Sequence, residues 1–197
     1  MILKNNALII LILVLFSIIS LFLLGAFDDT SKIKVDKTDA IYFTNVRPGK
    51  SDSNVVACIP AAYSTENGSI IGHYSVGKGR KGSSSGLYTT IHLDNNAHFQ
   101  QVSLVRGHKA KTFKDKRLRY RRALCKKGAD FTIEQSKYPT TLNAFARSLT
   151  KYDNAWNLDM GTYSYGWYRK DGRLHYLGAS TFWNRHKQTN WIVIRKE

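Results

Sequence analysis

Acidic side chains are scarce in this sequence: 14 Asp and Glu stand against 30 Lys and Arg, a formal charge of +16 over 197 residues. Prolines number only 3, and 43% of the residues are hydrophobic, which together exclude a disordered or collagen-like chain. Only two cysteines occur, Cys58 and Cys125. Neither belongs to a CxxC pattern and no clustered thiolate and imidazole ligands accompany them, so a structural zinc site is excluded. Their state stays open between a disulfide, which an oxidising exterior permits, and two buried or free thiols. The six histidines have no Ser or Cys partner at an elbow such as GxSxG, which argues against a hydrolase triad. Internal repeats are absent, and the length suits one domain.

What is present begins with a run from Ala7 to Phe27 that carries no charged side chain. At about 1.5 Å per helical residue it reaches roughly 30 Å, the thickness of a bilayer's hydrocarbon core. Residues 1–27 therefore read as a transmembrane anchor, with a cleaved signal segment as the alternative. The exit Leu24-Gly25-Ala26-Phe27-Asp28 is a poor cleavage site. Lys4 ahead of the run favours a cytoplasmic start and an outward-facing remainder, membrane-anchored or, after cleavage, secreted. Residues 28–39, polar with alternating charges, suit a short stalk. Residues 40–197 form the expected domain.

Within that domain, short apolar and β-branched runs bounded by Asn, Asp, Gly or Pro predict strands at 40–43, 55–59, 69–76, 87–93, 99–105, 130–133 and 191–194, a strand running into a Gly-containing turn over 155–161, an aromatic-rich run at 163–169 and a hairpin-like stretch at 173–178. One helix is legible over 140–149, where Leu142, Phe145, Ala146 and Leu149 fall at i, i+3, i+4 and i+7. Pro139 suits its first turn. Many strands and few helices predict an α+β fold: a single domain on a large mixed β-sheet, preceded by an N-terminal transmembrane helix. The stretch Gly77 to Gly86 is glycine-rich but lacks a Lys directly before its Ser and a following helix, so it reads as a flexible loop rather than a phosphate-binding one. Tyr163, Tyr165 and Trp167 alternate onto one strand face, where core packing is the expected role.

The basic excess belongs to the domain, since the first 27 residues hold one cation, Lys4. Its densest run is Lys109 to Lys127. Most of these side chains read as a solvated face. A functional groove among them would suit phosphate-bearing or anionic glycan, or anionic lipid, whereas nucleic acid is not the expected partner.

The order of elements in the second half carries a resemblance. A basic run and Arg-Ala precede a strand, a polar turn, an amphipathic helix and then Asn157-Leu158-Asp159-Met160-Gly161-Thr162-Tyr163-Ser164. This resembles the phosphodiester glycosidase family, whose signature turn is Asn-Leu-Asp-Gly-Gly-Gly-Ser-Ser; Asn, Leu, Asp, the middle Gly and the last Ser match. The family's Arg-Thr-Ala corresponds to Arg121-Arg122-Ala123, and its Asn-Gly-Gly-Phe turn to Pro60-Ala61-Ala62-Tyr63. Two signature glycines and the early Asn are replaced here. The resemblance spans roughly 55–194 and implies cleavage of a sugar from a phosphodiester.

That chemistry builds positive charge at the anomeric carbon, and a phosphate leaving group is a stable anion that hardly needs a proton donor, so one carboxylate and one guanidinium suffice. The resemblance implies Asp159 as the catalytic carboxylate and Arg121 as the phosphate clamp. Asn157, Gly161, Ser164, Arg122 and Tyr63 make up the expected substrate-binding set. No metal is expected and no cofactor is legible. The expected activity is an outward-facing, membrane-tethered hydrolase of a sugar-phosphate linkage in an envelope glycan. The alternative is a non-catalytic binder of anionic glycan, lipid or another polyanion through a basic groove. The expected partners are thus an anionic or phosphate-bearing glycan and a membrane reached through the N-terminal helix.

Overall fold

Turn-bounded runs that alternate in burial become strands wherever one face can be covered. The computed structural model describes residues 32–84, 86, 88–161, 164–177 and 188–197. In chain order the strands are β1 (Lys32–Lys34), β2 (Asp39–Thr44), β3 (Val55–Pro60), β4 (Tyr74–Ser75), β5 (Thr89–His92), β6 (His98–Gln101), β7 (Ser103–Arg106) and β8 (Lys109–Ala110). They continue with β9 (Arg122–Lys127), β10 (Asp130–Gln135), helix α1 (Leu142–Ser148), β11 (Asn154–Asn157), β12 (Gly166–Lys170), β13 (Arg173–Leu177) and β14 (Trp191–Lys196).

Three sheets form. One runs β1-β10-β9-β11-β7-β8, the second β13-β12-β3-β14-β2, and the third β4-β6-β5. Every strand pairing among the described residues is antiparallel. This corrects the expected α+β fold on one large mixed sheet. A parallel pair needs a crossover of a dozen or more residues, usually helical, and α1, with 7 residues, is the one α-helix among the described residues. The architecture is mostly antiparallel β with a short helix. The transmembrane helix expected over 7–27 lies outside the described residues, and no helix among them is long and apolar enough to cross a membrane.

The main core lies between the sheets. Ile41, Phe43, Ile59, Ile192 and Ile194 of the second sheet meet Leu124 and Ile133 of the first, with Ile91 and Phe99 of the third. The opposite face of the first sheet packs Ala123, Cys125 and Ala155 against Leu142, Phe145, Ala146 and Leu149, which is the stripe read from the sequence. Thr141 caps α1 by accepting from Ala144 N at 3.1 Å, so Pro139 lies two residues before the cap rather than in the first turn. Trp167 is fully buried against Val55, Cys58, Trp191 and Val193, in keeping with core packing; Tyr163 lies outside the described residues.

Several boundaries move: the strand expected over 69–76 is only Tyr74–Ser75, that over 155–161 ends at Asn157, and Arg122–Lys127, inside the basic run, is a strand. Lys32–Lys34, inside the stretch read as a stalk, pairs with β10, Ile33 opposite Ile133. The predicted strand 99–105 breaks into β6 and β7, because Val102 turns out of the ladder and its N–H bonds Gln101 Oε1 at 2.8 Å. Cys58 and Cys125 are both buried free thiols in separate clusters. Burial pushes the Cys58 thiol up to about 12.

Candidate functional site

Two loop segments meet where the first and second sheets approach. β3 runs out into Ala61-Ala62-Tyr63, and β11 into Leu158-Asp159. Asp159 N donates to Ala61 O at 2.9 Å and Leu158 N to Arg122 O at 2.8 Å, which joins the end of β3 to the ends of β11 and β9. Ala61 and Ala62 are fully buried, so small side chains serve the approach although glycine is absent. Asn190 holds this segment from the other side. Its Oδ1 accepts from Ala62 N at 2.7 Å, and its Nδ2 donates to Ala62 O at 3.1 Å and Ser64 Oγ at 3.0 Å.

Asp159 is 9% exposed. Its Oδ1 accepts from Gly161 N at 2.8 Å, the local turn that an Asp at a strand end favours. Burial raises its pKa, opposed by the Gly161 N–H and by the positive charge of Arg122. Ser164 Oγ donates to Asp159 O at 3.0 Å, so Ser164 braces the backbone of the turn rather than facing a ligand. A Cβ at Gly161 would stand 3.1 Å from Asp159 Oδ1, pressing on the carboxylate.

Arg122 is fully buried. Its Nε and Nη2 both donate to Gln135 Oε1, at 3.1 and 2.9 Å, while Nη1 has no hydrogen-bond partner. Desolvation lowers its pKa to about 10, and the charge of Asp159 works in the opposite direction. The two groups therefore attract each other without sharing a hydrogen bond. Asn157 is wired similarly. Its Nδ2 donates to Tyr63 Oη at 2.5 Å and to Leu158 O at 2.9 Å, and its buried Oδ1 has no partner. An unsatisfied buried polar atom costs about 1–3 kcal/mol. Both belong to segments that meet at Asp159, which makes them candidate contacts for a ligand.

Tyr63 is half-buried, and its phenol is pushed up to about 12, first by burial and then by the charges of Asp159 and Tyr88. Arg121 and Arg119 oppose that shift. The Tyr88 ring lies edge-on at 6.3 Å between centroids. Tyr63 thus links the acid on one side to the outer arginines on the other.

Arg121 occupies a different position from the one expected of a clamp beside Asp159. Its Nε donates to Thr140 O at 3.3 Å and its Nη2 to Arg117 O at 2.9 Å, with Asp115 Oδ2 at 3.7 Å. Successive side chains on a strand point to opposite faces. Leu124 lies in the core between the sheets and Ala123 in the cluster under α1, so Arg122 shares the Leu124 face and Arg121 the other. The guanidinium that acts on Asp159 is that of Arg122. Period-2 alternation with Leu124 is the signal in the sequence that distinguishes the two. Nothing in the sequence marks Asn190 or Tyr88.

Among the described residues no group of three or more His, Cys, Asp or Glu could hold a metal ion. Three histidines do gather on the third sheet: His98 lies 5.2 Å from His73 and 5.6 Å from His92 between ring centroids.

No protein-family model matches the chain, and no curated protein does. A solved structure does match: the zebrafish N-acetylglucosamine-1-phosphodiester alpha-N-acetylglucosaminidase catalytic domain, auto-inhibited by its pro-peptide. The TM-score is 0.55 at 13% identity, over 82% of this chain and 73% of that one. The likeness is one of fold, and a distant one. Within the shared fold, the Pro60–Tyr63 and Asn157–Ser164 segments, far apart in sequence, are hydrogen-bonded to each other through Asp159 and Ala61.

Proposed function

We propose that this chain hydrolyses a sugar-phosphate linkage of the glycosyl phosphodiester type, in an anionic envelope glycan. The observation that carries the reading is the buried Arg122 guanidinium, with an unpartnered Nη1, electrostatically coupled to a buried acid at the junction of two sheets. Such paired perturbed groups cluster at functional sites. Asp159 attacks or electrostatically supports the anomeric carbon as the C1–O bond breaks. The bonding pair leaves with the phosphate oxygen, giving a phosphomonoester, and water supplies the hydroxyl to C1 and a proton to solvent. Arg122 draws the phosphate in, and the charge of Arg119 near Tyr63 adds to the attraction. Asn157 Oδ1 accepts from a sugar hydroxyl. The fold shared with a phosphodiester glycosidase catalytic domain supports the same reading.

Synthetic sugar-1-phosphodiesters varied in the sugar test it, with free sugar and phosphomonoester both quantified. Turnover by the wild type, lost in Asp159→Asn and in Arg122→Met, is the expected result. A second reading rests on Asp159 Oδ1 already closing its own turn and on Arg121 being tied to Asp115. In it the chain binds the anionic glycan without cleaving it. Saturable binding, equal in wild type and Asp159→Asn, with no product from either protein, replaces the first reading with the second.

A further inference from the structure

Large apolar side chains exposed to solvent are few among the described residues, and three of them lie on two neighbouring segments. Leu118 is 68% exposed, Tyr120 47% and Tyr138 68%. They belong to two segments pinned side by side. Arg119 and Thr140 exchange backbone hydrogen bonds of 3.1 and 2.8 Å, and Ser136 N donates to Arg121 O at 2.8 Å. At its other end the first segment is anchored by Asn143, which accepts from Phe113 N at 2.7 Å and donates to Phe113 O at 2.6 Å. Between these anchors Lys114, Lys116, Arg117 and Arg119 are exposed, and Lys137 lies against the Tyr138 ring at 6.0 Å. Asp115 is the one acid between Phe113 and Arg121, and Arg117 Nε neutralises it at 2.9 Å.

From this arrangement we infer a docking surface for the headgroup region of an anionic phospholipid bilayer. The charge complementarity is direct, since clustered Lys and Arg are attracted by the negative potential of an anionic leaflet. The apolar members decide between polyanions. An exposed leucine within a basic loop makes no contact that a phosphate backbone or an anionic glycan rewards, whereas at a bilayer it enters the acyl boundary while tyrosines settle at headgroup depth. Pinning at Phe113, Arg119 and Arg121 means that little conformational entropy is lost on docking. The inference is independent of catalysis. It concerns the surface of Lys114, Lys116, Arg117 and Leu118, with Arg119 and Arg121 at its edge, where their charges act on Tyr63.

Amide hydrogen exchange of the full chain tests it, with phosphatidylcholine vesicles alone or mixed with phosphatidylserine. Any affinity contributed by the uncharged run 7–27 acts on both kinds of vesicle, so the difference between them reports the basic surface. Exchange at 114–120 and 136–138 is expected to slow by about fivefold or more with the anionic vesicles only. High salt and Lys114→Glu with Lys116→Glu are expected to abolish the protection. Leu118→Asp is expected to do the same, while unchanged protection across β9 and β10 reports an intact fold. Equal protection by both vesicles, or none by either, overturns the inference. So does protection of these segments by duplex DNA that Leu118→Asp leaves untouched, which would make the surface a nucleic-acid one.

Discussion

Two carboxylates of the first sheet and its loops are buried to the same degree, Glu134 at 8% exposure and Asp159 at 9%, and they are wired in opposite ways. Glu134 on β10 accepts from Tyr152 Oη and is flanked by Lys151 Nζ at 3.1 Å and Lys32 Nζ at 3.9 Å. Asp159 has one backbone N–H and a guanidinium that bonds elsewhere. A buried acid surrounded by donors stabilises its charge where it stands. An acid left short of donors stores electrostatic free energy that a bound cationic centre can release. Burial alone does not separate a structural carboxylate from a functional one; the count and placement of partners do.

That contrast can be broken most directly by activity. Asp159→Asn is expected to lower turnover of a cleaved sugar phosphodiester by on the order of 10²–10³ or more, and Glu134→Gln to leave kcat/KM nearly unchanged. Comparable losses in both variants, measured on folded protein, would erase the distinction. Stability should rank the pair the other way. Tyr152→Phe removes the hydroxyl from Glu134 and is expected to cost about 1–2 kcal/mol in denaturant unfolding.

A third measurement sharpens the comparison through pH. The folded-state pKa of Asp159 is raised, so its contribution to stability is fully present below the unfolded value of about 3.9 and is lost as pH rises through the folded one. Asn mimics the protonated acid. Asp159→Asn is therefore expected to raise Tm near pH 7, with the gain shrinking toward about pH 3. A lower Tm at neutral pH would show that the charge helps to hold the fold together. The smallest effect concerns the third sheet. Burial, then Arg80 and His98, lowers the His73 pKa. Stability from His73 is present above the unfolded value of about 6.5 and lost as pH falls through the folded one. His73→Gln should flatten the decline in unfolding free energy between about pH 7 and pH 5, and an unchanged slope would assign it to other groups.

The α1 stripe, β2, β3, β10 and β14 were legible because hydrophobic periodicity is a local property, whereas β9 lay inside the basic run read as a solvated face. Leu142, Phe145, Ala146 and Leu149 had to face a core wherever the helix lay. Strand pairing was not legible. Lys32–Lys34 carries no apolar signal beyond Ile33 and becomes a strand because the exposed edge of β10 accepts it. Of the candidate residues, Asp159, Asn157 and Tyr63 come together. Ser164 bonds the Asp159 backbone, and Arg121 turns toward Thr140 and Arg117 while its neighbour Arg122 takes the position facing the acid.

Composition and period were sufficient to settle the basic excess, the antecedents of most strands, the helix face and the Gly-containing turn after β11. These depend on neighbours within a few positions along the chain. Which arginine meets the acid, which cysteines stay apart, how many sheets form and which buried oxygen lacks a donor were decided by packing, because each depends on atoms that the chain brings together from distant positions and on the water they exclude.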